Sequence, residues 1–267
     1  NDIDIYYNQQ DQSWGVPTQL SDAKKTESSA PSLTVDKQND IYVVWMEDAG
    51  APRTGMDIKI INCTDGVWGG IDIKSDIAID SNSIEPQIVA DDAGNLHLVW
   101  ADDGGHSGSG NDFDIFYKKY NASTKTWGAM TLISDNINNG SSHKPSILVV
   151  NQFVHIVWED NCTFAGSGND YDILYKYWDP ALTTWNDILI ISDDINDSES
   201  HNTSITAVPT CDLFVSWEDN GNINNSGTDV DIVYKCWDYA QDTWSETKII
   251  SNDTNNGNSL HPTLISG

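Results

Sequence analysis

Phe153-Val154-His155-Ile156-Val157-Trp158-Glu159-Asp160, then a Gly/Asn/Ser loop, then Asp170-Tyr171-Asp172-Ile173-Leu174-Tyr175-Lys176, is the stretch whose reading decides the fold. β-Branched and aromatic residues alternate up to a pair of carboxylates, the chain turns through glycines, and a second such run begins on carboxylates. This is the signature of a two-stranded hairpin. The pattern occurs in three other places: Ile41 to Trp45 with Glu47 and Asp48, leading into Asp57-Ile58-Lys59; Leu96 to Trp100 with Asp102 and Asp103, leading into Asp112-Phe113-Asp114-Ile115; and Leu213 to Trp217 with Glu218 and Asp219, leading into Asp229-Val230-Asp231-Ile232.

Two tryptophan series give the period. Trp14, Trp68, Trp127, Trp185 and Trp244 form one, Trp45, Trp100, Trp158 and Trp217 the other, at a spacing of about 58 residues. Each period carries four strand signals, seen in the third unit as Pro145 to Val149 (A), Val154 to Trp158 (B), Asp172 to Tyr177 (C) and Trp185 to Ile191 (D). No helical periodicity interrupts them. The fold class is therefore all-β, a β-propeller of four-stranded antiparallel blades, with repeats over approximately 1–55, 56–111, 112–169, 170–228 and an incomplete 229–267. Both tryptophan series are expected to fill the space between blades. The sequence opens on a C strand, Asp2 to Tyr6, and stops on an A strand, His261 to Ile265. It therefore reads as a segment of a longer chain, with an incomplete ring or a strand donated by another chain as the alternatives.

The chain has 41 acidic against 13 basic residues, a formal net charge of -28. Nucleic acid and anionic membrane surfaces would be repelled. Cations, neutral sugars and basic partners remain, alongside solubility or adaptation to high salt as a reason for the acid. No run of about 18 apolar residues is present, so no membrane insertion by a helix is expected. Asn-x-Ser/Thr triplets at Asn62, Asn121, Asn139, Asn161, Asn196, Asn202, Asn224 and Asn252 are candidate glycosylation sites of a secreted or cell-surface protein. Cys211 opens one strand and Cys236 closes the next, so these two are the candidate disulfide.

The succession Pro-Ser-Ile/Leu-x-Val, Val-Trp-Glu-Asp, Asp-Ile-x-Tyr, Thr-Trp and Leu-Ile-Ser resembles the repeat of sialidase-like (BNR or Asp-box) β-propellers and covers essentially the whole chain. The Asp-box is degenerate: of Ser-x-Asp-x-Gly-x-Thr-Trp only the end survives, at Thr126-Trp127, Thr184-Trp185 and Thr243-Trp244. A sialidase of that family needs three arginines to hold the substrate carboxylate. This chain has one, Arg53, so the resemblance implies the fold and excludes the activity.

Up-and-down strand order places the B-to-C loops and D-to-A connections on one face, which collects most of the acid. The D-to-A connections bring Asp22, Asp76, Asp135, Asp193, Asp194, Asp197, Glu199 and Asp253; Lys37, Lys118, Lys119, Lys125, Lys176 and Lys235 fall at the opposite turns. In the B-to-C loops, Asp102, Asp103, Asp112 and Asp114, then Glu159, Asp160, Asp170 and Asp172, then Glu218, Asp219, Asp229 and Asp231 are candidate calcium ligands. Hard oxygen donors on glycine-rich loops suit that ion. The competing reading is that these carboxylates cap strands and bind the loops' own amides. His143 and His201 recur before strand A, and His97 and His155 recur in strand B, which argues against a single catalytic base. Trp178 and Trp237 stand outside both tryptophan series and are candidates for contact with a sugar. The function read from these features is a non-enzymatic binding, adhesion or assembly module stabilised by calcium. Its partner would be a cell-surface glycan or protein, or copies of itself; a lectin or a non-sialidase glycoside hydrolase is the alternative.

Overall fold

A computed structural model describes residues 3–10, 13–21, 27–75, 78–106, 108–134, 140–164, 167, 168, 170–192, 198–208, 213–223, 226, 227, 229–238, 243–251 and 257–265. Cys211, the D-to-A acids other than Glu199, and Asn139, Asn196, Asn224 and Asn252 lie outside the described residues. Cys236 is a free thiol.

All regular structure among the described residues is β, apart from a 3-10 position at Ile223. The chain forms β1 (Tyr6–Tyr7) and β2 (Thr18–Gln19), then four sheets of five strands. The first has β3 (Ser28–Val35), β4 (Ile41–Asp48), β5 (Met56–Thr64), β6 (Val67–Trp68) and β7 (Asp72–Ile73). The second has β8 (Ser83–Ala90), β9 (Leu96–Asp102), β10 (Asp114–Asn121), β11 (Thr126–Trp127) and β12 (Thr131–Leu132). The third has β13 (Ser142–Val150), β14 (Phe153–Asp160), β15 (Asp172–Asp179), β16 (Thr184–Trp185) and β17 (Leu189–Ile190). The fourth has β18 (Ser200–Ala207), β19 (Leu213–Asp219), β20 (Asp231–Asp238), β21 (Thr243–Trp244) and β22 (Lys248–Ile249). In every sheet A, B, C and D lie side by side in sequence order. This is the meander of a propeller blade.

Strand D, expected as one run, is two short pieces on strand C. Trp185 pairs with Trp178, and Leu189 with Tyr175, so D uses four steps where C uses three. The extra residue is a bulge, and the fourth sheet repeats it between Trp244 and Lys248.

The chain divides into two compact units, residues 1–106 with 116–131, and residues 107–115 with 132–267. In the first, Ile5 and Leu20 pack on Val43, Trp45 and Ile61 of the first five-stranded sheet. Its A strands are tied by side chains: the Ser32 hydroxyl accepts from the Ile88 amide at 3.2 Å, and Thr34 from Ala90 at 3.0 Å. In the second unit, Val157, Ile173, Ile205, Val215, Trp217 and Val233 form one core. The fifth expected A strand forms no sheet pairing among the described residues; it runs beside β18, with the Leu264 amide 3.0 Å from the Ser204 hydroxyl.

One polar arrangement recurs in all four five-stranded sheets. Trp45, Trp100, Trp158 and Trp217 are fully buried. Each donates its indole N–H to the carboxylate two residues on, at 3.0 Å to Glu47, 3.2 Å to Asp102, 3.2 Å to Asp160 and 3.0 Å to Asp219. The period of two puts ring and carboxylate on the same face of the strand. The A-strand serine directly opposite donates to the same group: Ser28, Ser83, Ser142 and Ser200 at 3.0, 2.6, 2.5 and 3.1 Å. In the last three sheets the carboxylate also takes a backbone amide, from Gly104, Cys162 or Gly221. Glu47 reaches its indole and serine with a longer side chain, and there Asp48 receives the amide of Gly50.

A second relay joins strands C and D. Ser21, Ser75, Ser134, Ser192 and Ser251 each accept an isoleucine amide and donate to Asp4, Asp57, Asp114, Asp172 and Asp231 respectively. In the core, His97 and His155 hydrogen-bond Tyr117 and Tyr175 through Nδ1 at 2.7 Å. Burial holds both imidazoles neutral and pushes their pKa down, to about 4 for His97, against the pull of Asp91, and to about 3 for His155.

Two outcomes follow. Asp160→Ala leaves three buried donors without their acceptor, which costs about 3 kcal/mol or more in urea unfolding. The two histidines make stability acid-sensitive. Their folded pKa values lie below the unfolded value of about 6.5, so only the unfolded chain takes up protons just below that pH, and stability falls from about pH 6.5 downward. His155→Phe flattens that slope in denaturation curves measured between pH 7 and 4.

Candidate functional site

The carboxylates expected to bind metal separate into groups with different surroundings. Asp102, Asp160 and Asp219 are the acceptors of the tryptophan arrangement. Asp103 receives the Asn82 amide at 2.6 Å and the Asn82 side chain at 2.8 Å, clamping the start of β8. Asn161 and Asn220 do the same for Ser141 and Glu199.

Glu159 and Glu218 reach to the A strand that follows in sequence. The four paired A strands are bulged at a residue with positive φ, Ala30, Glu85, Lys144 and Asn202, and His261 has positive φ at the same place in the unpaired fifth segment. Only Asn is a frequent visitor to that region, and the others stand at a cost of about 1 kcal/mol each. Glu159 accepts the Asn202 amide at 2.9 Å, and Glu218 the His261 amide at 2.5 Å. Burial would raise the Glu159 carboxyl, but His201, the Asn202 amide and Lys144 outweigh it and hold it low. The hydrogen bond to Glu159 in turn raises His201 against the effect of its burial.

Asp114, Asp172 and Asp231 are nearly fully buried at the head of strand C, with Asp112, Asp170 and Asp229 two residues earlier. Asp57 occupies the same place in the first sheet. There Arg53 forks onto both its oxygens at 2.9 and 2.8 Å, and Lys59 adds a contact at 3.4 Å. The chain's one arginine is thus engaged by a structural carboxylate.

The lysines placed at one face by sequence include structural ones. Lys118 donates to the Lys74 carbonyl at 2.8 Å and Lys176 to the Ile133 carbonyl at 3.0 Å, each reaching the D strand that precedes its own sheet. Lys176 and Lys235 are buried.

Trp178 and Trp237, the expected sugar contacts, stand edge-on to Trp185 and Trp244, with centroids 5.8 and 5.4 Å apart. In the second sheet the same positions are Tyr120 and Trp127, 5.5 Å apart. These two rings line a cleft of about 600 Å³ in the first unit. Asp36 and Asp40 of the β3–β4 turn, Tyr42 of β4, and Asn62, Asp72, Lys74 and Lys125 line it as well. Asp36 accepts the amides of Gln38 and Asp40 at 2.9 Å, which shapes the turn. Burial, helped by the charges of Asp36 and Asp40, pushes the Tyr42 hydroxyl up to about 12, and it donates to Asp36 at 3.4 Å. Lys74 is paired with Asp72 and stands 5.1 Å above the Trp127 ring. The cleft therefore combines aromatic faces, hydroxyl and amide groups, carboxylates and two lysines, Lys125 and the Asp72-paired Lys74. Sequence reasoning missed it because its residues come from strands and turns of two different sheets. The usable signal was the Asp-x-x-x-Asp spacing of 36 and 40. Among the candidate glycosylation sites, Asn121 is exposed and its side chain caps the turn to Ser123 and Thr124.

No protein-family model matches this chain, and no curated protein does. Solved structures do. A Penicillium chrysogenum α-L-arabinanase in complex with arabinobiose superposes with a TM-score of 0.55 at 14% identity, covering 78% of this chain and 62% of that one. A Dyadobacter fermentans protein of unknown function gives 0.58 at 12%, covering 86% and 71%. A Hadza microbial sialidase gives 0.58 at 12%, covering 82% and 46%. The chain thus spans less than two thirds of the arabinanase and under half of the sialidase. At these identities the likeness establishes the fold, a β-propeller of the architecture that sialidases also use.

The Arg53–Asp57 fork supplies a test of the first sheet. Arg53→Gln leaves a carboxylate of 1% exposure with Lys59 and the Ser75 hydroxyl, each at 3.4 Å, beside it. Stability falls by about 3 kcal/mol, read as a lowered urea midpoint with an unchanged slope.

Proposed function

We propose that this chain is a carbohydrate-binding β-propeller that acts without turnover, displayed outside the cell, and that it takes a neutral glycan in the cleft between Tyr42 and the Tyr120/Trp127 pair. The observation that carries this reading is the cleft's lining. Aromatic rings offer flat apolar faces to the C–H face of a sugar, and Asp40, Asn62 and the Tyr42 hydroxyl offer hydrogen bonds to its ring hydroxyls. The absence of an unengaged arginine in this chain disfavours acidic sugars, and the net charge of -28 repels them further. The structural likeness to an arabinanase that holds arabinobiose supports a saccharide as the ligand class.

A glycoside hydrolase is the second reading, favoured by the same likeness and by Asp40 and Asp72 within one cleft. Hydrolysis needs one carboxyl to donate a proton and another to attack or activate water. Asp72 does not suit the proton-donor role, because its hydrogen bond to Lys74 holds it ionised and below the usual carboxylate range.

Titration calorimetry against a panel of neutral oligosaccharides, arabino-oligosaccharides included, tests the proposal. Binding is expected, with Trp127→Ala weakening it about tenfold or more, a loss of about 1.4 kcal/mol. Binding that survives Trp127→Ala unchanged, or a panel with no ligand in it, refutes the cleft. Release of shorter sugars, abolished by Asp40→Asn, replaces the non-enzymatic reading with the hydrolase.

A further inference from the structure

We infer that His97 is a positioning residue of the cleft: acting through Asp91, it holds the β8–β9 turn that lines the cleft and so sets the affinity for the ligand. The effect on affinity rests on the glycan reading; the hold on the turn does not.

Asp91 follows β8 and opens the turn that leads into β9. Its Oδ1 accepts the amides of Ala93 and Asn95 at 2.9 and 2.8 Å, and its Oδ2 accepts the Asn95 side-chain amide at 2.8 Å. Asn95 in turn accepts the Ala122 amide at 3.0 Å. Ala93, Gly94, Leu96 and Ala122 all line the cleft, so one carboxylate shapes this stretch of its wall. Gly94 takes the left-handed conformation at φ +81°, and a Cβ there would stand 3.2 Å from the Gln38 side chain of the β3–β4 turn. The two turns are close enough for a shift in one to be felt by the other.

What fixes Asp91 is buried. His97, at 1% exposure, reaches Asp91 Oδ2 through Nε2 at 3.3 Å and the Tyr117 hydroxyl through Nδ1 at 2.7 Å. Burial would raise the Asp91 carboxyl, but the hydrogen bonds from Asn95 and His97 outweigh it and hold it low. Asp91 is therefore an acceptor only, which assigns the proton of the neutral imidazole to Nε2 and makes Nδ1 the acceptor of the Tyr117 hydroxyl. The donors run one way, from Tyr117 to His97 and from His97 to Asp91. An ion pair from Lys37 to Asp92, at 3.0 Å, also spans the two turns, but with side chains 60% and 94% exposed it is screened and contributes little. The imidazole is the anchor that solvent does not weaken.

The other sheets show what the aspartate adds. Tyr42, His97 and His155 each stand three residues before the buried tryptophan of strand B. In the first sheet the Tyr42 hydroxyl reaches Asp36 Oδ2 at 3.4 Å, and Asp36 holds its own turn by the amides of Gln38 and Asp40. In the third sheet His155 keeps its bond to a tyrosine, but the hairpin of Asn151 and Gln152 brings no aspartate, and Nε2 is enclosed without a hydrogen-bond partner. A strand-B side chain is thus coupled to its turn in the two sheets whose turns line the cleft, and is uncoupled in the third.

The test reads turn and cleft separately. Amide hydrogen exchange at Asn95 and Ala122, without ligand, reports the turn; calorimetry with the tightest-binding neutral oligosaccharide of the panel reports the cleft. In His97→Phe both amides are expected to lose protection and the affinity to fall about tenfold. His97→Gln, whose side-chain amide can donate to Asp91, recovers the protection and most of the affinity. His155→Phe, the same substitution in the second unit, leaves both as in the wild type. If His97→Phe fails to fold, Asp91→Ala, on the turn instead of in the core, shows the same two losses. Unchanged protection in a folded His97→Phe, losses that His97→Gln does not reduce, or wild-type affinity despite lost protection overturns the positioning role. A wild type that binds no saccharide of the panel refutes the glycan reading, and the exchange data then decide by themselves whether His97 holds the turn.

Discussion

A buried carboxylate that receives an indole N–H from its own strand and a hydroxyl from the strand beside it is the interaction on which each sheet depends. Trp158, Asp160 and Ser142 show its economy: a single group fixes the rotamer of the largest core side chain and the register of A against B. It also ends strand B, because Asp160 takes the Cys162 amide and turns the chain into the B-to-C loop. A one-residue slip of β13 would send Ser142 to the opposite face and leave Asp160 short of a donor in a water-free site. The apolar residues of strand B supply burial, but they would bury nearly as well in a neighbouring register. The polar triad is what makes one register preferable.

Strain and reward are paired in the same way where one sheet meets the strand that follows it in sequence. The same position of each A segment holds a non-glycine residue at positive φ, and in four of the five copies a proline follows. The residue before a proline ordinarily avoids helical geometry, so the conformation is doubly constrained. What holds it in the second unit is the preceding sheet: Glu159 binds the bulged amide of Asn202, and Glu218 that of His261. Met46 and Ala101 stand at the corresponding places of the first two sheets and offer no such acceptor. The repeat thus keeps its backbone geometry while the means of stabilising it changes from copy to copy.

The fold was legible because its signals are local and repeated. Alternation, turn residues and the two tryptophan series each point to the same meander. Strand D read less well, since a one-residue bulge leaves no mark in a short run such as Thr184 to Ile191. Site residues were harder for a physical reason. A carboxylate that accepts three protein donors and one that accepts a single hydroxyl have the same letter in the sequence, and only the positions of Ser142, Trp158 and Cys162 distinguish Asp160 from Asp231. The lysines show the same limit. Lys176 counts as charge on paper, yet its ammonium is bound to the Ile133 carbonyl inside the protein.

Departures from the repeat are where specific recognition can arise, and the cleft of the first unit sits at such a departure. Strands β13 and β14 are joined by Asn151 and Gln152 alone, both at positive φ, a tight two-residue hairpin. The corresponding turns of the first two sheets are longer and built on an aspartate that binds its own loop, Asp36 with Gln38 and Asp40, and Asp91 with Ala93 and Asn95. Residues of both longer turns line the cleft together with the aromatic pair Tyr120/Trp127. The third and fourth sheets carry the same aromatic pair as Trp178/Trp185 and Trp237/Trp244. The third lacks the long turn, so an aromatic pair alone does not make a cleft. A ligand that reads the cleft therefore reads the longer turns, and a repeat that began as four equivalent sheets gains a unique site through a few extra residues in a hairpin.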